Sequence, residues 1–104
     1  MDFSELARRR FSCRDYRSEP VPEEMLNKVL EAARIAPSAV NLQPWHFYVV
    51  REKDALDKIY STYHREWLRT APCVIVLCGD RSLSWKRREG KDHVDIDVAI
   101  ATDH

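Results

Sequence analysis

The side chains best equipped to bind or transform a ligand fall in two short segments. The first is Arg10-Phe11-Ser12-Cys13-Arg14. In an extended segment Arg10, Ser12 and Arg14 would point the same way, because alternate residues share a face. Two guanidiniums and a hydroxyl converging on one point suit phosphate oxygens, which arginine's planar fork of donors grips bidentately. The second segment is Ala36-Pro37-Ser38-Ala39-Val40-Asn41-Leu42-Gln43-Pro44-Trp45. Its small residues let backbone N–H and C=O groups approach a flat ligand, while Asn41 and Gln43 supply amides that donate and accept. Taken singly each segment says little. Arg-x-Ser-x-Arg arises often by chance, and Pro-Ser-x-x-Asn is more often a helix stop and turn.

Other chemistries find less support. The three cysteines, Cys13, Cys73 and Cys78, are an odd number, which argues against a secreted disulfide framework. They read as buried, inert thiols. None of the four histidines pairs with a cysteine at a zinc spacing, so no structural metal is expected. Only two glycines occur, Gly79 and Gly90, too few for a P-loop or a G-x-G-x-x-G fingerprint. Formal net charge is zero, yet 12 of the 17 basic residues are arginine and five of them lie within the first 17 positions. A local arginine cluster on a neutral chain fits one anionic ligand better than nucleic acid, whose binders are usually basic overall.

The elements that must position these residues follow from pattern. Met1 to Arg10 reads as a short amphipathic helix with Phe3, Leu6 and Ala7 on one face. Phe11 to Glu19 reads as loop. Pro22 suits a first helical position, and Glu23 to Ala36 forms the clearest helix, its stripe being Met25, Leu26, Val29, Leu30, Ala33 and Ala36. Pro37 stops it. Pro37 to Trp45 is loop, and His46 to Val50 a strand by its β-branched and aromatic content. Asp54 is placed as N-cap of a helix reaching Tyr63. Cys73 to Cys78, continuously apolar, reads as a strand buried on both faces. Asp80 to Lys91 is polar loop, and Val94 to Thr102 begins a helix with Ile96, Ala99 and Ile100 on one face.

Length and composition set the frame: 104 residues, 44% apolar and 33% charged, as in one small globular domain. No apolar run approaches the roughly 18 residues of a membrane span, and Met1 to Arg10 lacks the apolar core of a secretory signal. A cytoplasmic protein is therefore expected, with no nucleic-acid or membrane partner. Two strands make a thin sheet, so the architecture reads as α+β with its second half missing.

In this order and spacing the two segments resemble the nitroreductase family of flavoproteins. That family carries an Arg-Arg-Ser-x-Arg-x-Phe/Tyr box, a Pro-Val-Pro helix entry, a helix ending Ala-Pro-Ser-x-x-Asn-x-Gln-Pro-Trp, and a strand like His46-Phe47-Tyr48-Val49-Val50. Here the box stands as Arg10-Phe11-Ser12-Cys13-Arg14-Asp15-Tyr16, with Phe11 where a second arginine is usual. Ala71-Pro72-Cys73-Val74-Ile75-Val76 resembles the family's next core strand, and Asp97-Val98-Ala99-Ile100-Ala101 the start of its central helix.

The resemblance implies an α+β fold with a central, mostly antiparallel sheet flanked by helices. Residues 1–104 would form a single, incomplete nitroreductase-like domain. It also implies a homodimer with FMN at the subunit interface. Arg10, Ser12 and Arg14 would hold the FMN phosphate and ribityl chain, with backbone contacts from Phe11. Pro37, Ser38, Ala39, Asn41 and Gln43 would approach the isoalloxazine from the other subunit. The implied activity takes electrons from NAD(P)H onto the flavin and passes them to a nitroaromatic, quinone or similar small-molecule acceptor. The flavin carries that chemistry, so no catalytic acid or base is assigned, and His46 and Tyr16 are read as packing or surface residues. The alternative is a flavin-binding or inactive remnant of such a domain.

Overall fold

A computed structural model describes residues 1–104. Its elements in order are α1 (Phe3–Arg9), α2 (Glu23–Arg34), β1 (Trp45–Val50), α3 (Lys53–Tyr60), β2 (Val74–Gly79) and α4 (Val94–Asp103). Short 3-10 turns at Ala39–Asn41 and Glu66–Thr70 join them. The fold is α+β, as the sequence implies.

The two strands pair antiparallel, running from Trp45 opposite Gly79 to Val50 opposite Val74. Helix α4 lies against β2, and α2 packs on α4. Gly79 lies close against α4: a Cβ there would sit 2.2 Å from Val94 Cγ2. At the centre Ala36, Trp45 and Ala101 are buried together, with Phe47, Leu77, Val98 and Ile100 packed around them. Leu56, Tyr60 and Ala71 are also buried, where α3 meets the Glu66–Thr70 turn and the Tyr60 hydroxyl donates to the Ala71 carbonyl.

Several expectations need correction. The face α4 buries is Val94, Asp97 and Ala101, at i, i+3 and i+7, while Ile96 stays exposed. A carboxyl thus sits on the inward face, displacing the apolar stripe that Ile96, Ala99 and Ile100 suggest. Strand β2 is half-buried rather than buried on both faces, because α4 covers it without enclosing it. Cys78, near the end of β2, is accordingly exposed and Cys73 partly so, while Cys13 lies exposed in the irregular segment after α1. Asp54 lies inside the first turn of α3, whose N-cap is Glu52 with no side-chain bond. In α2, Leu26 and Ala33 are buried, but Met25 and Val29 are more than half exposed.

Residues 1–20 are exposed throughout, and α1 buries nothing. The radius of gyration, 15.8 Å, exceeds the about 13 Å of a compact domain this long. Phe3, Leu6 and Phe11 therefore face solvent. No helix is long and apolar enough to cross a membrane.

Candidate functional site

The arginine segment starts where α1 ends. Asp2 caps that helix, its Oδ1 accepting from the Glu5 N–H at 2.8 Å. Arg8 and Arg9 occupy the last turn, where cations complement the helix dipole. Arg10 leaves the helix with φ −63° and ψ 130°, so the chain is extended from that point. The rest of the segment, through Tyr16, has no regular structure.

Tyr16 fastens it. Its N–H donates to Thr70 Oγ1 at 2.9 Å, and the Thr70 hydroxyl donates on to the Trp67 carbonyl at 2.7 Å. The Tyr16 hydroxyl donates to the Cys13 carbonyl at 2.8 Å, and its ring lies 6.1 Å from that of Trp67. Tyr16 is thus a packing residue, and it holds the residues after Arg14 against the Glu66–Thr70 turn. None of Arg8, Arg9, Arg10 and Arg14 belongs to any of the ion pairs. Four unneutralised guanidiniums within seven positions of chain, with the Ser12 hydroxyl also free of protein partners, make a local field that attracts an anion.

The second segment has the more unusual backbone. Val40, Asn41 and Gln43 take φ of 56°, 55° and 50°. Asparagine visits this left-handed region at modest cost, but a β-branched valine does so rarely. The conformation costs roughly 1–2 kcal/mol per residue and persists only where the surroundings over-determine it. They do so here. The Asn41 N–H donates to the Ser38 carbonyl at 2.9 Å, and the Gln43 N–H to Ser38 Oγ at 3.0 Å. Gln43 Nε2 donates to the Arg34 carbonyl at 3.2 Å, satisfying an acceptor left open at the end of α2. The Ala39 N–H donates to Asp97 Oδ1 at 2.9 Å. Beyond the turn Pro44 and Trp45 are buried, and the Pro44 carbonyl accepts from the Asp80 N–H at 2.8 Å.

So the structure brings Pro37, Ser38, Ala39, Asn41 and Gln43 together in one braced loop. Gln43 is committed to the loop through both its backbone and its side-chain amide. Asn41 makes no side-chain hydrogen bond and is exposed, leaving its amide free for a ligand. No hydrogen bond joins this loop to the Arg10–Arg14 segment within one chain. Asp97 is the residue that reading the sequence for chemistry passed over. The available signal was an acidic residue among Val94, Ile96, Val98, Ala99 and Ile100.

The loop and the arginine segment both lie within residues 7–64, the stretch matched by the sequence model of the Nitroreductase family. That match takes in more than half of the chain. The chain belongs to the nitroreductase family. A Thermus thermophilus protein named NADH dehydrogenase is 45% identical over 83 residues, which are 77% of this chain and 40% of that protein. Among solved structures, a nitroreductase family protein from Clostridium difficile 630 superposes with a TM-score of 0.90 at 44% identity, covering 100% of this chain and 59% of that one. A Desulfovibrio desulfuricans protein solved in complex with FMN superposes with a TM-score of 0.80 at 29% identity, covering 96% of this chain and 57% of that one. This nitroreductase-family chain therefore spans about half the length of the relatives it matches.

Proposed function

We propose that this chain binds FMN and, with it, passes electrons from NADH or NADPH to a small acceptor such as a nitroaromatic or a quinone. The observation that carries the reading is the braced loop. Non-glycine residues are held in left-handed backbone at an exposed surface, beside an amide that has no protein partner. Strain of that kind gathers at ligand sites. The family and the Desulfovibrio relative's FMN supply the identity of the ligand.

The donor set fits such a group. Arg10 and Arg14 present unpaired guanidiniums and Ser12 a free hydroxyl, as a phosphate and a ribityl chain require. Phe11 adds backbone. From the other subunit, Pro37, Ser38 and Ala39 bring small side chains close to a flat ring, while Asn41 offers its free amide to the polar edge and Gln43, its Nε2 held by the Arg34 carbonyl, offers its side-chain carbonyl oxygen. When bound, FMN supplies hydride acceptance and onward electron transfer. The chain's part is to orient the ring, neutralise the phosphate and keep water from one face. Pairing with a second copy also gives cover to Phe3, Leu6, Phe11 and Val40, which one copy leaves exposed. We read residues 1–104 as part of one domain, since α2, α4 and the sheet share a single core.

The test is a visible absorption spectrum of the purified chain, with intact mass from the same sample. Flavin bands that bleach on adding NADH or NADPH support the reading. Bands that do not bleach indicate flavin binding without turnover. A protein that stays colourless with added FMN refutes the reading.

A further inference from the structure

We propose that Asp97 is a positioning residue for the proposed flavin-facing loop, acting through the backbone N–H of Ala39. The inference rests on the FMN reading for what the loop is for, but the contact itself does not.

Asp97 is 1% exposed, and it is the only charged side chain in the core. One carboxyl oxygen accepts from Ala39 N–H at 2.9 Å, and the other has no partner within the chain. Its neighbours on the inward face of α4, Val94 and Ala101, are buried and apolar. Burying a carboxyl costs free energy that one hydrogen bond offsets only in part. A leucine would serve packing better there. The position in the first turn of α4 helps, because the helix dipole favours an acid, but that benefit does not require burial.

What the carboxyl does require is explained by the loop. Ala39 stands at the entry to the left-handed pair Val40 and Asn41, immediately after Ser38 in extended backbone. With its N–H fixed, the Leu42 N–H reaches the Ala39 carbonyl at 3.3 Å and the Asn41 N–H reaches that of Ser38, closing the turn. Release Ala39, and the turn itself keeps only the bonds among residues 38–43, with the Gln43 side chain's bond to the Arg34 carbonyl the remaining tie to a helix, and a relaxed loop with negative φ at Val40 could abandon the internal bonds. Asp97 never needs to touch the ligand.

The experiment uses the whole chain with ¹⁵N labelling. Amide exchange at Ala39 is followed without flavin, and FMN affinity is followed separately by titration. Asp97→Asn keeps a carbonyl acceptor facing Ala39, so Ala39 exchange and FMN affinity should stay within about threefold of the wild type. Asp97→Leu removes both the acceptor and the buried charge. It should exchange Ala39 at least about tenfold faster and bind FMN about tenfold more weakly, with no loss in denaturation midpoint. That split separates positioning from a merely structural role. Ala39→Pro removes the donor instead, and Ser38 at φ −138° and ψ 160° already has the backbone that a following proline needs. It should weaken FMN binding as Asp97→Leu does, and if Asp97→Leu fails to fold, exchange of the Leu42 amide in Ala39→Pro, followed without flavin, decides the matter: it should be at least about tenfold faster than in the wild type, and an unchanged rate overturns the inference. Equal affinity for FMN in every variant overturns the inference and leaves the FMN reading standing. Fast exchange at Ala39 in the wild type also overturns it. Slow, Asp97-dependent exchange in a chain that binds no FMN keeps the contact and refutes the flavin reading.

Discussion

Replacing Gly79 by alanine should push α4 off the sheet. The added Cβ would lie 2.2 Å from Val94 Cγ2, 2.9 Å from Val98 Cγ2 and 3.5 Å from Val94 Cβ. Comfortable carbon contacts need about 3.5–4.0 Å, so something must give by more than an ångström. Val94 has little room to rotate: it is β-branched in a helix, where one χ1 rotamer dominates, and it is 2% exposed. The helix must therefore move as a body. Overpacking of this kind costs roughly 1–3 kcal/mol, which in a domain near this size lowers Tm by about 4–8 °C per kcal/mol. Urea denaturation followed by tryptophan fluorescence would measure it, with Trp45 in the core as reporter. Val94→Ala removes the methyl group in the way, so the double variant should be more stable than the two single costs sum to, by about 1 kcal/mol or more. A Gly79→Ala unfolding free energy within about 0.5 kcal/mol of the wild type, or strictly additive double-variant costs, would refute the packing argument.

Three further outcomes are expected. Arg14→Ala should weaken FMN binding by about 1.5–3 kcal/mol, the range for hydrogen bonds to charged groups. Equal flavin content in variant and wild type would count against the phosphate assignment. Thr70→Val removes the acceptor that fastens Tyr16, so limited proteolysis should cut the exposed residues 1–20 faster while the unfolding free energy in urea changes by less than about 1 kcal/mol. Unchanged cutting would mean that Thr70 is not the tether. Stability should fall in acid. The Val94 N–H, and then Arg81, hold the Asp92 carboxyl below the usual carboxylate range; the Ser82 hydroxyl and N–H do the same for Asp80, and the Arg34 side chain for Glu31. A lowered folded-state value means that the unfolded chain takes up protons first. The contribution is complete above the ordinary carboxylate range, about pH 4, and is lost as pH falls toward the lowered values. Asp92→Asn should flatten part of that acid slope, and a midpoint that does not change between neutral pH and about pH 3 would contradict it.

Much of the fold could be read from periodicity and punctuation. Pro22 and Pro37 bracket α2, and the β-branched and aromatic run after Trp45 marks β1, because these depend on local sterics. Which face is buried was less legible. Met25 and Val29 belong to the apolar stripe of α2 yet remain more than half exposed, since α2 turns Leu26 and Ala33 inward instead. Asp97 broke the expected pattern of α4, because its reason lies 58 residues away at Ala39. The loop's membership was clear from Ser38, Asn41 and Gln43 as residue types. Its left-handed backbone was not, because valine at position 40 gives no hint of a positive φ. The tether from Tyr16 to Thr70 is a contact between two irregular segments and leaves no periodic trace.

The bond between Ala39 and Asp97 also orders events in time. Contacts between residues far apart in sequence carry a loop-closure cost that local ones escape. The β1–β2 pairing and the last turn of α2 can form while residues near position 97 are still unplaced, whether on the ribosome or in refolding. The turn at Val40 is fully braced only later, because one of its supporting bonds, that from Ala39 to Asp97, waits for α4 to dock. The final bracing of the loop therefore follows the docking of α4 against Gly79 and the sheet.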